Sequence, residues 1–409
     1  MNRRRLTRRI AIAVGVGATT GVLAAAAAAA THGANASKPS SPRVGPAGLR
    51  FYSPSKLPAG PHGTLIWERP FHGVAALKGA NNYLVLYKQT GVSAKQVPVS
   101  GIVSIPKGKA PKHGWPVVTY AHGTTGIADQ CAPSRDTGPT SGADEADTGI
   151  APLLSSWIKR GYAVVRTDYE GLGTPGPHPY LIGRSEGDGV LDIVTAARQL
   201  DPAVSNQVII SGHSQGGHAA LWAAALAPKY TPSLHVLGTV AFAPQSHTAD
   251  EASFLKSLSS PGLTPLAGMI LRGVEVADPS LHVNSLLTPA GKALYPQTVT
   301  RCLQQLESPS SLGGLPLNQL VRPTANLGPA IKQIAANDPD HLKIHGPVLL
   351  EQGLADGTVF PQFDEALSYE LAKNGAKVTY HTWPGASHGG VLISSAKDAT
   401  AFLAAHFGR

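Results

Sequence analysis

The segment that most constrains the fold spans residues 208–219 and reads Val-Ile-Ile-Ser-Gly-His-Ser-Gln-Gly-Gly-His-Ala. A β-branched run is followed by Gly-x-Ser-x-Gly and then by an Ala-rich stretch with helical spacing, which predicts a strand, a sharp turn and a helix. Gly212 and Gly216 permit the close backbone packing that such a turn requires around Ser214. The turn would present Ser214 Oγ at the rim of a sheet. It would also place the amide of Gln215 at a helix N-terminus, where the amide can stabilise negative charge.

Alternating strands and helices extend from this segment in both directions. Strands are predicted at residues 83–87, 97–105, 116–121, 162–167, 208–211, 236–242, 347–353 and 378–383. Helices are predicted at residues 155–159, 189–200 and 362–374, with a last helix from residue 391. The first two strands lie on either side of Gly91 and are expected to pair antiparallel at a sheet edge. Helices separate the later strands, so we predict an α/β fold with right-handed crossovers and a mostly parallel sheet flanked by helices.

One long interruption divides this pattern. From residue 246 to residue 345, short apolar pieces among Pro, Ser and Gly replace the alternation of strands and helices. We interpret residues 246–345 as a mainly helical cap inserted between two parts of the core, residues 63–245 and 346–409.

Residues 1–36 have the organisation of a secretory signal peptide. Arginines are followed by an apolar stretch over residues 10–30 and by Ala34-Asn35-Ala36, a small-x-small cleavage site. A permanent membrane anchor is the alternative, but the stretch is rich in Ala and Gly and therefore weakly apolar. We expect cleavage after Ala36, a secreted protein and no membrane span in the mature chain. Residues 37–62 are rich in Gly, Pro and Ser and are expected to form a linker or an N-terminal arm.

The positive charge of the chain is concentrated in the signal segment. The net charge is +9, but five arginines fall within the first nine residues, which leaves +4 on residues 37–409. No basic patch interleaved with aromatic residues stands out, so the sequence does not favour a nucleic-acid partner.

Two cysteines, Cys131 and Cys302, are present. Export to an oxidising compartment favours a single disulfide. Neither cysteine belongs to a CxxC pair, so the spacing excludes the usual zinc and redox motifs. The sequence implies no metal and no other cofactor.

The order of three residues along the chain carries chemical information. Asp356 follows the strand predicted at 347–353, and His388 lies in a Gly-flanked loop after the last predicted strand. Ser214, Asp356 and His388 thus occur in the Ser…Asp…His order of an α/β-hydrolase. In such a triad the histidine takes the proton of a weakly nucleophilic serine, while the carboxylate fixes the imidazole tautomer and stabilises the cation that forms.

Competing residues fit these roles less well. Asp338 falls in the predicted cap and Asp364 on a predicted helix, whereas His381 lies inside a strand. Asp168 and Glu170 follow the strand at 162–167, at the rim of the sheet where sites form, but they fit the polar start of a loop equally well.

A second glycine-rich element is expected to complete the site. The strand at 116–121 ends in His122-Gly123-Thr124-Thr125-Gly126, where an α/β-hydrolase builds half of its oxyanion hole. We predict that the backbone amides of Thr124 and Gln215 are the oxyanion donors.

These motifs together resemble the secretory lipases of the lipase A type, a family of fungal and bacterial α/β-hydrolases. The matching pieces include the oxyanion loop, Cys131-Ala132-Pro133-Ser134, Asp168-Tyr169-Glu170-Gly171, the serine motif, and the acid and histidine loops, over roughly residues 115–390. The resemblance implies hydrolysis of lipid carboxylic esters, a helical cap lining the acyl site, and a bond between Cys131 and the cap. In one departure, this chain has Thr124 where the best-known fungal members have an acid.

We therefore expect a secreted, cofactor-independent serine hydrolase that acts on lipid or other acyl esters, which include substrates at a lipid–water interface. A serine peptidase or acyltransferase on the same fold is one alternative, because the triad does not discriminate between these reactions. A catalytically silent binding protein on a hydrolase scaffold is another, although an intact Ser, Asp and His set argues against it.

Overall fold

A nine-stranded sheet forms the centre of the fold in the computed structural model, which describes residues 43–138, 150–253, 259 and 262–408. The strands are β1 Leu65–Pro70, β2 Ala80–Thr90, β3 Gln96–Pro106, β4 Trp115–Ala121, β5 Ala163–Thr167, β6 Val204–His213, β7 His235–Phe242, β8 Pro347–Gly353 and β9 Lys377–Trp383. Their spatial order is β1-β2-β3-β5-β4-β6-β7-β8-β9. The predicted signal peptide, residues 1–36, lies outside the described residues.

Helices connect and cover the strands. They are α1 Ile150–Lys159, α2 Gly183–Leu200, α3 Gln215–Tyr230, α4 Thr248–Ser253, α5 Thr264–Ala277, α6 Pro289–Leu294, α7 Leu303–Leu306, α8 Gly328–Ala335, α9 Pro361–Lys373, α10 Gly390–Ser394 and α11 Ala396–Phe407. No helix in the described part of the chain is long and apolar enough to cross a membrane.

The direction of the strands changes across the sheet as the sequence predicts. β1, β2, β3 and β5 pair antiparallel in turn, whereas β4 pairs parallel with β5 and β6, and β6 to β9 continue parallel. The antiparallel pair on either side of Gly91 is β2 and β3, but the edge strand next to it is β1, so the expectation that this pair forms the edge was wrong. The mostly parallel α/β sheet is therefore confirmed.

Both faces of the sheet are covered by apolar packing. On one face, residues of α2, α3 and α9 such as Leu191, Ala220 and Leu367 are buried against the strands. On the other face, Trp157 of α1 and Leu403 of α11 are buried in a second cluster. Two covered faces explain why the central strands are continuous apolar runs rather than alternating ones.

Two elements extend beyond the sequence prediction. β1 was not predicted, because its Leu-Ile-Trp-Glu-Arg-Pro sequence mixes apolar and charged residues in a way that fits a sheet edge. α2 begins at Gly183, six residues before the predicted start at 189, and its first two turns bury Glu186 and Asp188. Buried acids at the start of a helix do not give an apolar pattern, so periodicity could not indicate them.

The described residues just before β1 form an arm packed on the core. Phe51 is 1% exposed, and its carbonyl accepts a hydrogen bond from Trp67 Nε1 at 3.0 Å. The hydroxyl of Tyr52 donates to the carbonyl of Ser134 at 3.1 Å. Within residues 37–62, this part therefore packs as an N-terminal arm.

The segment proposed as a cap, residues 246–345, contains α4 to α8 and several short 3-10 helices. None of its described residues belongs to a strand of the nine-stranded sheet. It has an apolar cluster of its own, which includes Met269, Leu306 and Leu312 and continues onto Tyr180 and Leu181 of the core. The cap thus packs on the loop that precedes α2.

Candidate active site

Ser214 lies between the end of β6 and the start of α3 in a strained conformation. Its φ and ψ are 57° and −119°, a combination that non-glycine residues rarely adopt. The surrounding backbone holds this conformation, since Ser214 N donates to the carbonyl of Phe242 at 2.9 Å. The carbonyl of Ser214 in turn accepts from the amides of His218 and Gln245, each at 3.1 Å. The predicted strand, sharp turn and helix are all present.

The two glycines of the motif are required by close packing. A Cβ atom on Gly216 would lie 1.9 Å from the carbonyl oxygen of Ala121, and one on Gly212 would lie 2.0 Å from the carbonyl oxygen of Gly216. Any side chain at either position would push β4, β6 and α3 apart. Gly-x-Ser-x-Gly is thus the pattern that lets the serine turn pack against the strand before the oxyanion loop.

Asp356 and His388 are hydrogen-bonded to each other, with 2.7 Å between Asp356 Oδ2 and His388 Nδ1. They meet because they follow β8 and β9, which are parallel neighbours. Asp356 Oδ1 accepts from the amides of Thr358 and Val359 at 2.8 and 2.9 Å. Burial raises the pKa of Asp356, but the bond and charge of His388 and the two amides outweigh it and lower that pKa below its ordinary value.

The histidine loop is also tied to the serine turn. His213, the residue before Ser214, donates from Nε2 to the carbonyl oxygen of His388 at 3.0 Å, and the two imidazole rings are 4.5 Å apart. The serine motif and the histidine loop are therefore adjacent in the structure.

The two competing acids have other partners. Asp338 accepts from the amides of Thr248 and Ala249, at 2.8 and 3.1 Å, at the start of α4. Asp364 is buried on α9 and accepts from Ser246 Oγ at 3.3 Å. Burial and the nearby charge of Asp356 raise the pKa of Asp364 well above its ordinary value, which favours a neutral carboxyl group there.

Ser214 and Thr124 line one cavity of about 280 Å³. Its wall is largely apolar and comes from the cap, from α9 and from the residue that precedes α9: Leu263, Leu266, Ala267, Ile270, Leu271, Leu317, Ile334, Phe363 and Phe360. A polar part of the wall contains Gln245 and Glu251, whose side chains are bonded at 3.1 Å. Burial raises the pKa of Glu251 to about 7, so this carboxyl group is only partly ionised at neutral pH.

The two predicted oxyanion residues have anchored side chains. Thr124 Oγ1 is 2.7 Å from the hydroxyl of Tyr180, a cavity residue just before α2. Gln215 Nε2 donates to Glu186 Oε1 at 2.8 Å and to His178 Nε2 at 3.1 Å. Since His178 Nε2 accepts this bond, its Nδ1 carries the proton and donates to the carbonyl of Glu170. Burial lowers the pKa of His178, in agreement with a neutral ring.

Glu186 also joins the serine helix to the cap. Its Oε2 is 2.8 Å from His218 Nδ1, and His218 Nε2 donates to the carbonyl of Asn337 at 2.8 Å. Burial lowers the pKa of His218, but the bond and charge of Glu186 reverse this effect and raise it overall. The serine motif predicted nothing about this network, because Glu186 lies 28 residues before Ser214 and outside the helix expected from periodicity.

Asp168, at the end of β5, is a structural acid. It is buried and accepts from Ser100 Oγ at 2.6 Å, from the amide of Ser134 at 3.0 Å, and from Ser134 Oγ. The Cys-Ala-Pro-Ser element is therefore fixed to the Asp-Tyr-Glu-Gly element through Ser134 and Asp168. Glu170 accepts in a similar way from the amide of Val92 at 2.9 Å.

A disulfide joins Cys131 to Cys302. Beside it, the amide of Leu303 donates to the carbonyl of Thr125 at 2.9 Å, and a Cβ on Gly126 would lie 2.8 Å from Cys131 Sγ. The bond therefore fastens the predicted oxyanion loop to the cap, as the resemblance implies.

Cys302→Ser is expected to lower the melting temperature by about 5–10 °C, because the closed loop spans 171 positions and its closure entropy favours folding by up to about 5 kcal/mol. Activity on bulky esters should fall more than activity on small ones, which need less of the cap. Thermal unfolding and ester assays measure both effects. The double variant Cys131→Ser/Cys302→Ser is the control and should match the single variant; a melting temperature equal to that of the parent would contradict the prediction.

The fold and the site define the class of protein as an α/β-hydrolase. The sheet is mostly parallel, a strained serine follows a central strand, and an aspartate–histidine pair follows the last two strands. Residues 143–306 match the model of the secretory lipase family. The chain is therefore similar to the secretory lipases of the lipase A type, as its motifs indicate.

Individual relatives and structures agree with this family. Lipase A of Moesziomyces aphidis is 27% identical over 272 residues, which are 63% of this chain and 56% of that protein. A protein of Mycobacterium tuberculosis described as a probable inactive lipase is 23% identical over 305 residues, 73% of this chain and 67% of that protein. The X-ray structure of Candida antarctica lipase A in its closed state has a TM-score of 0.67 at 23% identity, covering 83% of both chains. The chain spans a little over half to two thirds of the length of these curated relatives.

Proposed function

We propose that this protein is a secreted serine hydrolase that cleaves carboxylic esters of lipid-like acids through an acyl-enzyme on Ser214. The observation that carries the proposal is a strained serine in the wall of an apolar cavity, near the hydrogen-bonded pair of buried Asp356 and partly exposed His388. The family described as secretory lipase supports both ester hydrolysis and a location outside the cell.

The reaction follows from the roles of the three side chains. Ser214 Oγ attacks the ester carbonyl while His388 Nε2 takes its proton, and Asp356 stabilises the imidazolium through Nδ1. The amides of Thr124 and Gln215 bind the oxyanion of the tetrahedral intermediate. His388 then returns the proton to the leaving alkoxide, and the alcohol departs. A water molecule, deprotonated by His388, attacks the acyl-enzyme and releases the acid and Ser214.

The cavity supports acyl groups as the recognised part of the substrate. Side chains of α5, among them Leu266 and Ile270, are only partly buried by protein because they face this cavity. An alkyl chain placed there would replace water at apolar surface, which is favourable by about 0.8 kcal/mol per methylene group. Substrates with medium or long acyl chains should therefore be preferred over acetates.

A panel of nitrophenyl esters from acetate to palmitate, with emulsified triglyceride and a peptide nitroanilide, tests the activity. We expect ester hydrolysis that rises in kcat/KM with acyl length and no cleavage of the anilide. Faster amide cleavage would indicate a peptidase, and transfer to an added alcohol in place of hydrolysis would indicate an acyltransferase. If the protein cleaves none of these substrates, it would resemble the relative described as a probable inactive lipase.

A pair of variants tests whether the cavity binds the acyl chain. Leu266→Trp, which fills the cavity, should lower kcat/KM for the laurate ester at least about 10-fold and that for the acetate ester less than about 3-fold. Val276→Trp on the same helix is the control, because Val276 does not line the cavity. Equal losses on both esters in Leu266→Trp would assign the acyl chain to another surface.

A further inference from the structure

A second cluster of ionisable side chains lies at β8, β9 and α11. Glu351 of β8 and His381 of β9 are register partners on neighbouring parallel strands, and Asp398 of α11 lies beside them. His381 Nδ1 is 3.1 Å from Asp398 Oδ2 and 3.7 Å from Glu351 Oε1. One atom from each residue falls within 4.8 Å of the other two.

Glu351 is the unusual member of this cluster. Its side chain is fully buried, and Trp383 Nε1 donates to its Oε2 at 2.6 Å. Its other oxygen, Oε1, is buried without a hydrogen-bond partner and faces His381. A buried carboxylate oxygen without a partner is costly, and native structures seldom keep one without a reason. The tryptophan fixes the orientation of the carboxyl group, as outer partners of metal ligands do.

The separations from His381 Nδ1 to the two carboxylate oxygens are close to those in a tetrahedral metal site. Zinc binds histidine nitrogen and carboxylate oxygen at about 2.0–2.2 Å, so two ligand atoms of a tetrahedron lie about 3.3–3.6 Å apart. The separations of Asp398 Oδ2 and Glu351 Oε1 from His381 Nδ1, 3.1 and 3.7 Å, lie just below and just above this range. The side chains of His381 and Asp398 are 43% and 35% exposed, so the cluster lies at the protein surface, although His381 Nδ1 itself is buried.

We propose that Glu351, His381 and Asp398 form a zinc-binding site, with water as the fourth ligand. One imidazole and two carboxylates suit zinc better than magnesium or calcium, which prefer oxygen ligands alone. The two carboxylates neutralise the charge of a divalent ion. The ion would link β8 and β9, the strands that precede Asp356 and His388, to the last helix, and so would stabilise the fold at that edge of the sheet.

The proposal is tested by calorimetric titration with zinc chloride. The sample is the mature protein without a tag, treated with a chelator beforehand. We expect one site per chain, and zinc at 100 times the dissociation constant should raise the melting temperature by about 3–6 °C. Magnesium and calcium chloride should have little effect. His381→Gln and Asp398→Asn, both at partly exposed positions, should each weaken zinc binding at least about 100-fold.

His341→Gln is the matched control, because His341 Nδ1 lies 3.0 Å from Asp340 Oδ1 but belongs to an exposed pair without a buried acid. It should leave zinc affinity unchanged. Absence of zinc binding up to millimolar concentration, or zinc affinity that both cluster variants leave intact, would overturn the proposal. The readouts are affinity and stability, so the result is independent of the proposed hydrolase activity.

Discussion

Replacing Ser214 by alanine should lower kcat for a soluble nitrophenyl ester by about 10⁶-fold, because the members of a serine triad act as a unit. The alanine variant keeps the backbone but loses the oxygen that attacks the carbonyl. The expected residual rate reflects the oxyanion donors and substrate binding alone. A fluorophosphonate probe should label the parent protein at Ser214, identified by peptide mass spectrometry, and should not label the variant.

Ser246→Ala provides the matched control for this substitution. Ser246 is also buried and lies near the site, but its hydroxyl is bonded to Asp364 on α9. This variant should keep activity within about 10-fold of the parent. Probe labelling that persists in Ser214→Ala, or a loss of activity below about 100-fold, would show that another residue is the nucleophile.

Asp356→Asn should lower kcat by about 10⁴-fold. In the variant, the side-chain amide of the asparagine can donate a hydrogen bond to His388 Nδ1. The imidazole proton would then stay on Nε2, which must be unprotonated to accept the serine proton. The substitution also removes the negative charge that stabilises the imidazolium. Asp356 accepts two backbone amides and the bond from His388, so the asparagine side chain should stay in place. Circular dichroism and steady-state kinetics separate lost folding from lost turnover.

Asp364→Asn is the control that distinguishes the two acids. Burial already favours a neutral carboxyl group at Asp364, so an amide of the same shape should change turnover less than about 10-fold. A larger loss in Asp364→Asn than in Asp356→Asn would reassign the acid of the triad.

Several parts of the architecture could be predicted because their signals are local. Buried central strands are continuous apolar runs, so β4, β6, β7 and β8 were expected close to their observed positions. Elements that bury polar side chains do not give such an apolar run and could not be predicted in this way. The start of α2 was misplaced because Glu186 and Asp188 are buried within it, and the partners of Glu186, Gln215 and His218, come from a different helix, α3.

The sequence alone determined the order of the candidate residues and the positions of the glycines. Gly212 and Gly216 can be recognised from the sequence because the serine turn tolerates only glycine at these two positions, where the backbone contacts are too close for a side chain. The chain order of Ser214, Asp356 and His388 can be recognised because each residue follows a predicted strand. Only the tertiary structure decided which side chains surround them. The bond from Gln215 to Glu186, the apolar cavity and the Glu351–His381–Asp398 cluster depend on strand register and on helix packing between residues far apart in sequence. A one-residue shift in register would turn Glu351 or His381 to the other face of the sheet, and no local pattern in the sequence specifies that register.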